Sequence, residues 1–141
     1  MQLMTEARTT SRRAAPARYS VLIADTSAES RSTLEAALSS LGPQTVTHAA
    51  DGDELERRFF EDGPYDLVVC RALLGARSGL QVLARARTAG KRASFIVYSS
   101  LDGPWLRVFV SDAESTVLSS RVVSLEGVAQ LAAGMLEAAR R

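Results

Sequence analysis

Short, almost uninterrupted apolar runs alternate along this chain with segments of helical periodicity, and that alternation limits its fold more than any other feature. Residues 19–24 (YSVLIA) form the first run and end at Asp25; further runs occupy 45–49, 65–70 and 95–98. Runs this apolar suit strands buried on both faces, as parallel strands are. Between the first two, Ser27 is placed to cap a helix carrying Leu34, Leu38 and Leu41, which Gly42 and Pro43 stop. Asp51 and Glu54 make a capping-box pattern ahead of Leu55 and Phe59, in a helix expected to end near Gly63. After a loop predicted over 71–78, Gly79 opens a third helix with Leu80, Leu83 and Ala84 inward and Arg85 and Arg87 outward, ending near Gly90.

The fourth run ends on Ser99 and Ser100, and beyond it the pattern loosens. Pro104 reads as the start of a short helix with Trp105, Leu106 and Phe109, and residues 116–118 as a short fifth strand. A last helix, 124–139, carries Val128, Leu131, Ala132 and Met135 on one face and is followed by Arg140 and Arg141, favourable beside a helix C-terminus. Five strands alternating with helices predict an α/β, doubly wound parallel sheet with helices on both faces. In such sheets ligands gather at the strands' carboxyl ends, which directs attention to Asp25, Thr26, Arg71, Ser99 and Ser119.

With 141 residues the chain is about one domain's worth, and 46% apolar with 23% charged residues is an ordinary globular balance. Residues 1–17 lack apolar periodicity and are expected to form a disordered basic tail, leaving 18–141 as the folded domain. Arg8, Arg12, Arg13 and Arg18 against Glu6 give the first eighteen residues +3, which leaves −2 for the rest of a chain of net charge +1. A slightly acidic body does not supply the basic stripe that nucleic acid needs, so only the tail offers one. The single cysteine, Cys70, excludes an internal disulfide and a thiolate metal cluster. Neither a signal-peptide run nor a membrane-length apolar stretch is present, and a cytoplasmic location is expected.

The motifs VLIADTSAESRSTLEAALSSLG, AADGDELERRF, YDLVVCRALLGARSGLQVLARAR and SFIVYSS together resemble the receiver domain of two-component response regulators, over about residues 19–140. The resemblance implies a five-stranded flavodoxin-like fold and a role in bacterial phosphorelay signalling. Members of that family hold Mg²⁺ on two acids after the first strand plus an acceptor aspartate, and take a phosphoryl group from a histidine kinase. At the matching positions this chain has Asp25, Thr26 and Arg71, with Ser99 at the switch hydroxyl and Ser119 at the lysine. It therefore resembles a degenerate, pseudo-receiver type.

The substitutions have a direct chemical meaning. A hard divalent cation needs several oxygen ligands, and one carboxylate remains. Arg71 carries no acceptor atom and stays protonated, so it neither ligates a metal nor attacks phosphorus. Two readings of it stand open: Arg71 reaches across to Asp25 and neutralises the pocket, or it turns to solvent while Asp25 caps the first helix. Ser99, Ser100, Ser119 and Ser120 read as ordinary strand-end serines, Cys70 as an apolar filler, and His48 as a strand-end residue. Thr116 stands where the family has its switch aromatic.

The function expected from these readings is a stand-alone, phosphorylation-independent interaction protein, not an enzyme, with no metal and no cofactor. Its partners are expected to be signalling proteins, with a possible homodimer, no membrane and nucleic acid unfavoured. Trp105, Leu106 and Phe109 are candidate contacts, on a surface around the fourth helix, fifth strand and last helix. The alternative is a dimeric scaffold that binds nucleic acid through its basic tail.

Overall fold

A computed structural model describes residues 19–42, 44–113 and 118–139. The tail predicted for 1–17, Arg140 and Arg141, and the predicted strand's Thr116 and Val117 lie outside the described residues. The elements in chain order are β1 (Tyr19–Ala24), α1 (Ala28–Leu38, extended by a 3-10 turn Ser39–Leu41), β2 (Gln44–Ala49), α2 (Gly52–Glu61), β3 (Leu67–Arg71), β4 (Leu73–Leu74), β5 (Arg77–Ser78), α3 (Gly79–Thr88), β6 (Ser94–Ser100), β7 (Leu106–Ser111), β8 (Ser119–Val123) and α4 (Leu125–Ala139).

The main sheet has six strands in the order β2-β1-β3-β6-β7-β8. Its first four strands are parallel, and β6, β7 and β8 then pair antiparallel. Alternate side chains of the parallel strands feed two cores. Leu22, Val68, Cys70, Phe95 and Val97 meet α2 and α3 on one face, while Val21, Ile23, Leu67, Val69 and Ile96 meet α1 and α4 on the other. All ten are fully buried, each large apolar side chain contributing about 1.5–3 kcal/mol relative to exposure.

Local chemistry sets the helix ends. Ser27 Oγ accepts the Ser30 N–H and starts α1. Asp51 caps α2 by accepting the Glu54 N–H, while the Glu54 carboxylate reaches back one residue further than the ordinary box, to the Ala50 N–H. Ser78 and Gln81 make a full reciprocal capping box at α3. Gly79 is needed for space there: a Cβ at that position meets the Arg71 carbonyl oxygen and Cys70 Sγ, each at 2.8 Å. Gly79→Ala is expected to destabilise the protein by about 1–3 kcal/mol through overpacking, outweighing the roughly 0.5–1 kcal/mol that Ala gains in helical backbone preference. An unchanged urea midpoint would contradict this packing.

Two sequence expectations need correction. The sheet is mixed and six-stranded, not five-stranded and parallel, because the segment read as a short helix from Pro104 is the strand β7. Its sequence LRVFVS alternates. Leu106, Val108 and Val110 join the α1/α4 core, while Phe109 points to the α2/α3 core. A tight connection with Gly103 at φ 65° returns the chain from β6, and pairing with both neighbours satisfies the β7 backbone. The predicted loop 71–78 also holds structure, the small β4–β5 hairpin, whose Arg77 pairs with Asp53 and Glu56 on α2.

Candidate functional site

At the carboxyl ends of β1, β3 and β6, on the α1/α4 face, four side chains converge: Asp25, Arg71, Tyr98 and Ser100. Asp25 is 1% exposed, and a carboxylate so buried must be paired or hydrogen-bonded. Arg71 Nε donates to Asp25 Oδ2 at 2.9 Å. Of the two readings open from the sequence, the chain adopts the inward one. Tyr98 Oη donates to the same Oδ2 at 2.5 Å, and the Ser27 N–H donates to Oδ1 at 2.9 Å. Both carboxylate oxygens are therefore engaged by groups of the chain itself.

The remaining contacts brace this arrangement. Arg71 Nη1 donates to Ser100 Oγ at 3.2 Å, and the guanidinium lies 5.1 Å from the centre of the Tyr98 ring, a cation–π distance. The Tyr98 hydroxyl is held above its ordinary range, first by burial and then by its hydrogen bond to Asp25. It stays protonated and remains a donor. Burial alone pushes the Cys70 thiol up to about 12, so this neighbour of Arg71 is a neutral filler and not a reactive thiolate. Behind the site, Arg31 on α1 donates to the Asp25 carbonyl oxygen at 2.6 Å and to His48 Nδ1 at 3.3 Å, while His48 Nε2 lies 2.7 Å from Glu35. With Nδ1 accepting, Nε2 carries the proton and donates to Glu35. His48 thus ties α1 to β2, and Arg31 ties the same helix to Asp25 at the end of β1.

Thr26 is exposed in the bend after Asp25. Ser99 faces the other side of the sheet, opposite Arg107 on β7, so the hydroxyl that touches Arg71 belongs to Ser100. Ser119 is not brought to the site. It starts β8, pairs with Val110, and lines a cleft with Tyr65, Asp66 and Ser94 at the amino ends of the strands. β8 lies antiparallel to β7 and therefore runs in the direction of β6, and Ser119 is at the amino end because it begins that strand, whereas the sequence predicts a strand over 116–118 ending just before it. The chain's one lysine, Lys91, lines that same distant cleft. Sequence reasoning missed Tyr98, although a tyrosine in the otherwise apolar run SFIVY needs a buried partner for its hydroxyl.

The donor set does not fit a divalent cation. Asp25 is the one carboxylate of the group, its oxygens already accept three hydrogen bonds, and the Arg71 guanidinium occupies the approach with a positive charge. Among the described residues no three His, Cys, Asp or Glu side chains converge on a common point.

Of the proposed contact residues, Trp105 is half exposed, Leu106 packs against the α1/α4 core and Phe109 against the α2/α3 core. No helix precedes β7 after β6, so the surface expected around a fourth helix is built instead from the β6–β7–β8 meander. Among the described residues no helix is long and apolar enough to cross a membrane.

No family model matches the sequence, and no curated protein matches it. Solved structures do. The chain is similar to the receiver domain of the Francisella response regulator 1452, with a TM-score of 0.54 and 23% identity over 61% of this chain and 69% of that one. It is also similar to a response regulator receiver protein from Pseudomonas putida, with a TM-score of 0.52 and 23% identity over 85% of this chain and 83% of that one. The likeness shows the fold: a flavodoxin-like, doubly wound α/β sheet of the receiver type, here with a sixth strand and an antiparallel edge.

Proposed function

We propose that this chain is a receiver-like module of two-component signalling that works by protein–protein contact, without aspartyl phosphorylation and without catalysis. One observation carries the reading: the only carboxylate at the carboxyl-end site among the described residues is buried and already satisfied by Arg71, Tyr98 and the Ser27 N–H. Phosphoryl transfer needs a nucleophilic oxygen at the acceptor position and positive charge free to meet the incoming phosphate. Here the acceptor position holds a guanidinium, and its charge is spent on Asp25. The internal ion pair replaces the metal and leaves the pocket neutral, so the module holds one state without a ligand.

The test is incubation with acetyl phosphate and Mg²⁺ followed by intact mass measurement. An unmodified mass is the expected result. A phosphoryl adduct, stable or acid-labile, would overturn the reading.

A further inference from the structure

The two sheet faces are covered unequally. On the α2/α3 side those helices pack over the buried side chains of β1, β3 and β6, while β7 and β8 present Arg107, Ser120 and Val122 exposed. Cross-strand pairing places Arg107 opposite Val122 and Phe109 opposite Ser120, so these four share one face. Beyond the strand ends, Leu101 and Trp105 join Val122 around one hollow, and the three are 40%, 50% and 49% exposed. Three of the five large apolar side chains exposed among the described residues therefore meet at one place. Ser100, the hydroxyl that accepts from Arg71, lines the same hollow, so the patch abuts the Asp25 site.

We propose that this open face docks an amphipathic helix from another protein, with its apolar stripe on Leu101, Trp105 and Val122 and an acidic residue over Arg107. Dimensions select the occupant. Two strands at about 4.8 Å spacing make a strip roughly 10 Å wide, the width of one helix of about 10–12 Å diameter. A second sheet laid on this strip overhangs onto α3. A second copy of the chain is disfavoured by area: five residues of two strands cover roughly 10 by 17 Å, far short of the about 800 Å² per partner that a stable dimer needs and a transient contact with one helix does not. Charge selects the chemistry. Arg107 is exposed, its guanidinium meets only Ser120 Oγ at 3.2 Å, and none of the ion pairs among the described residues includes it. The one carboxylate lining the hollow is Asp102.

Trp105 is the chain's single tryptophan, so its emission reports on this patch alone. The probe is a synthetic amphipathic peptide of about 18 residues, long enough to hold helix in water, with leucines on one face and glutamates flanking them. A twin carries lysines in place of the glutamates. With the full chain, the expected result is a saturable blue shift with the glutamate peptide and at least about tenfold weaker binding of the lysine twin, a difference of about 1.4 kcal/mol. Arg107→Glu is expected to reverse that preference, and Val122→Asp to weaken the glutamate peptide about tenfold with an unchanged thermal midpoint. Four results would overturn the proposal: no saturable shift, equal binding of the twins, a blue shift that grows with protein concentration alone and so marks a second copy, or an emission already shielded from iodide at every dilution and so covered by the chain itself. The surface rests on reading the chain as an interaction module, yet the two fail separately. A phosphoryl adduct overturns that reading and leaves the titration standing, whereas a flat titration overturns only the surface.

Discussion

Arg71→Met is expected to lower stability by about 3 kcal/mol, toward the lower end of the cost of breaking a buried ion pair because Arg71 keeps 28% side-chain exposure. The cost arises on the carboxylate side. Asp25 is 1% exposed and keeps only the Tyr98 hydroxyl and the Ser27 N–H as donors once the guanidinium is gone. Methionine fills the space of the side-chain stem but leaves a buried negative charge without a counter-ion. For a domain of this size the loss corresponds to a drop of roughly 10 °C in thermal midpoint. Adding Asp25→Asn to Arg71→Met should recover part of it. The amide oxygen then accepts from the Ser27 N–H and the amide NH₂ donates to Tyr98 Oη, with no charge left to neutralise. A double-mutant cycle across the two positions measures the coupling. Arg71→Met melting within a degree or two of the parent would mean that the pair seen at 2.9 Å does not hold the site.

How much of this was legible in the sequence depends on how local the signal was. The first four parallel strands and the first three helices announce themselves, because each apolar run is bounded by a cap or a stop that acts within a few residues: Ser27 before α1, Asp51 before α2, Gly79 at the start of α3. The β7 segment failed for the same reason in reverse. Trp105, Leu106 and Phe109 have a spacing that fits one helical face, while the competing two-residue alternation through Leu106, Val108 and Val110 gains its energy only by pairing with β6 and β8, which the segment's own periodicity does not display. The next strand was misread in its bounds. A strand over 116–118 puts Ser119 at a carboxyl end, whereas the strand that forms begins at Ser119 and runs on to Val123 in the direction of β6, so Ser119 lies at the amino end. The Arg71 substitution was visible as a residue type, but its direction was not, since the Tyr98 hydroxyl, the Asp25 carboxylate and Ser100 meet only after three strands are side by side.

On the proposed reading, the exclusion of a metal and the exclusion of phosphoryl transfer rest on different features, and one variant separates them. Thr26→Asp combined with Arg71→Asp places three carboxylates at the ends of β1 and β3 and removes the internal cation. Without a divalent ion these charges repel, and the variant is expected to melt at least as low as Arg71→Met. With Mg²⁺ it should regain stability. At 10 mM ion and a dissociation constant of about 1 mM the linkage term is about 1.4 kcal/mol, a rise of roughly 5 °C in midpoint. The parent protein is expected to move by less than about 1 °C, since Asp25 is already neutralised by Arg71. A parent that gains as much as the variant would show that the ion pair does not exclude the metal. Phosphorylation by acetyl phosphate should remain absent in the variant even when Mg²⁺ binds. Lys91, the only lysine, lines the cleft at the amino ends of the strands, and Ser119 begins β8 at that same end, so among the described residues no ammonium is placed to meet an incoming phosphate. On the proposed reading, two side chains exclude the metal whereas the want of a lysine beside the site excludes the phosphate, and restoring the first is expected to leave the second lost.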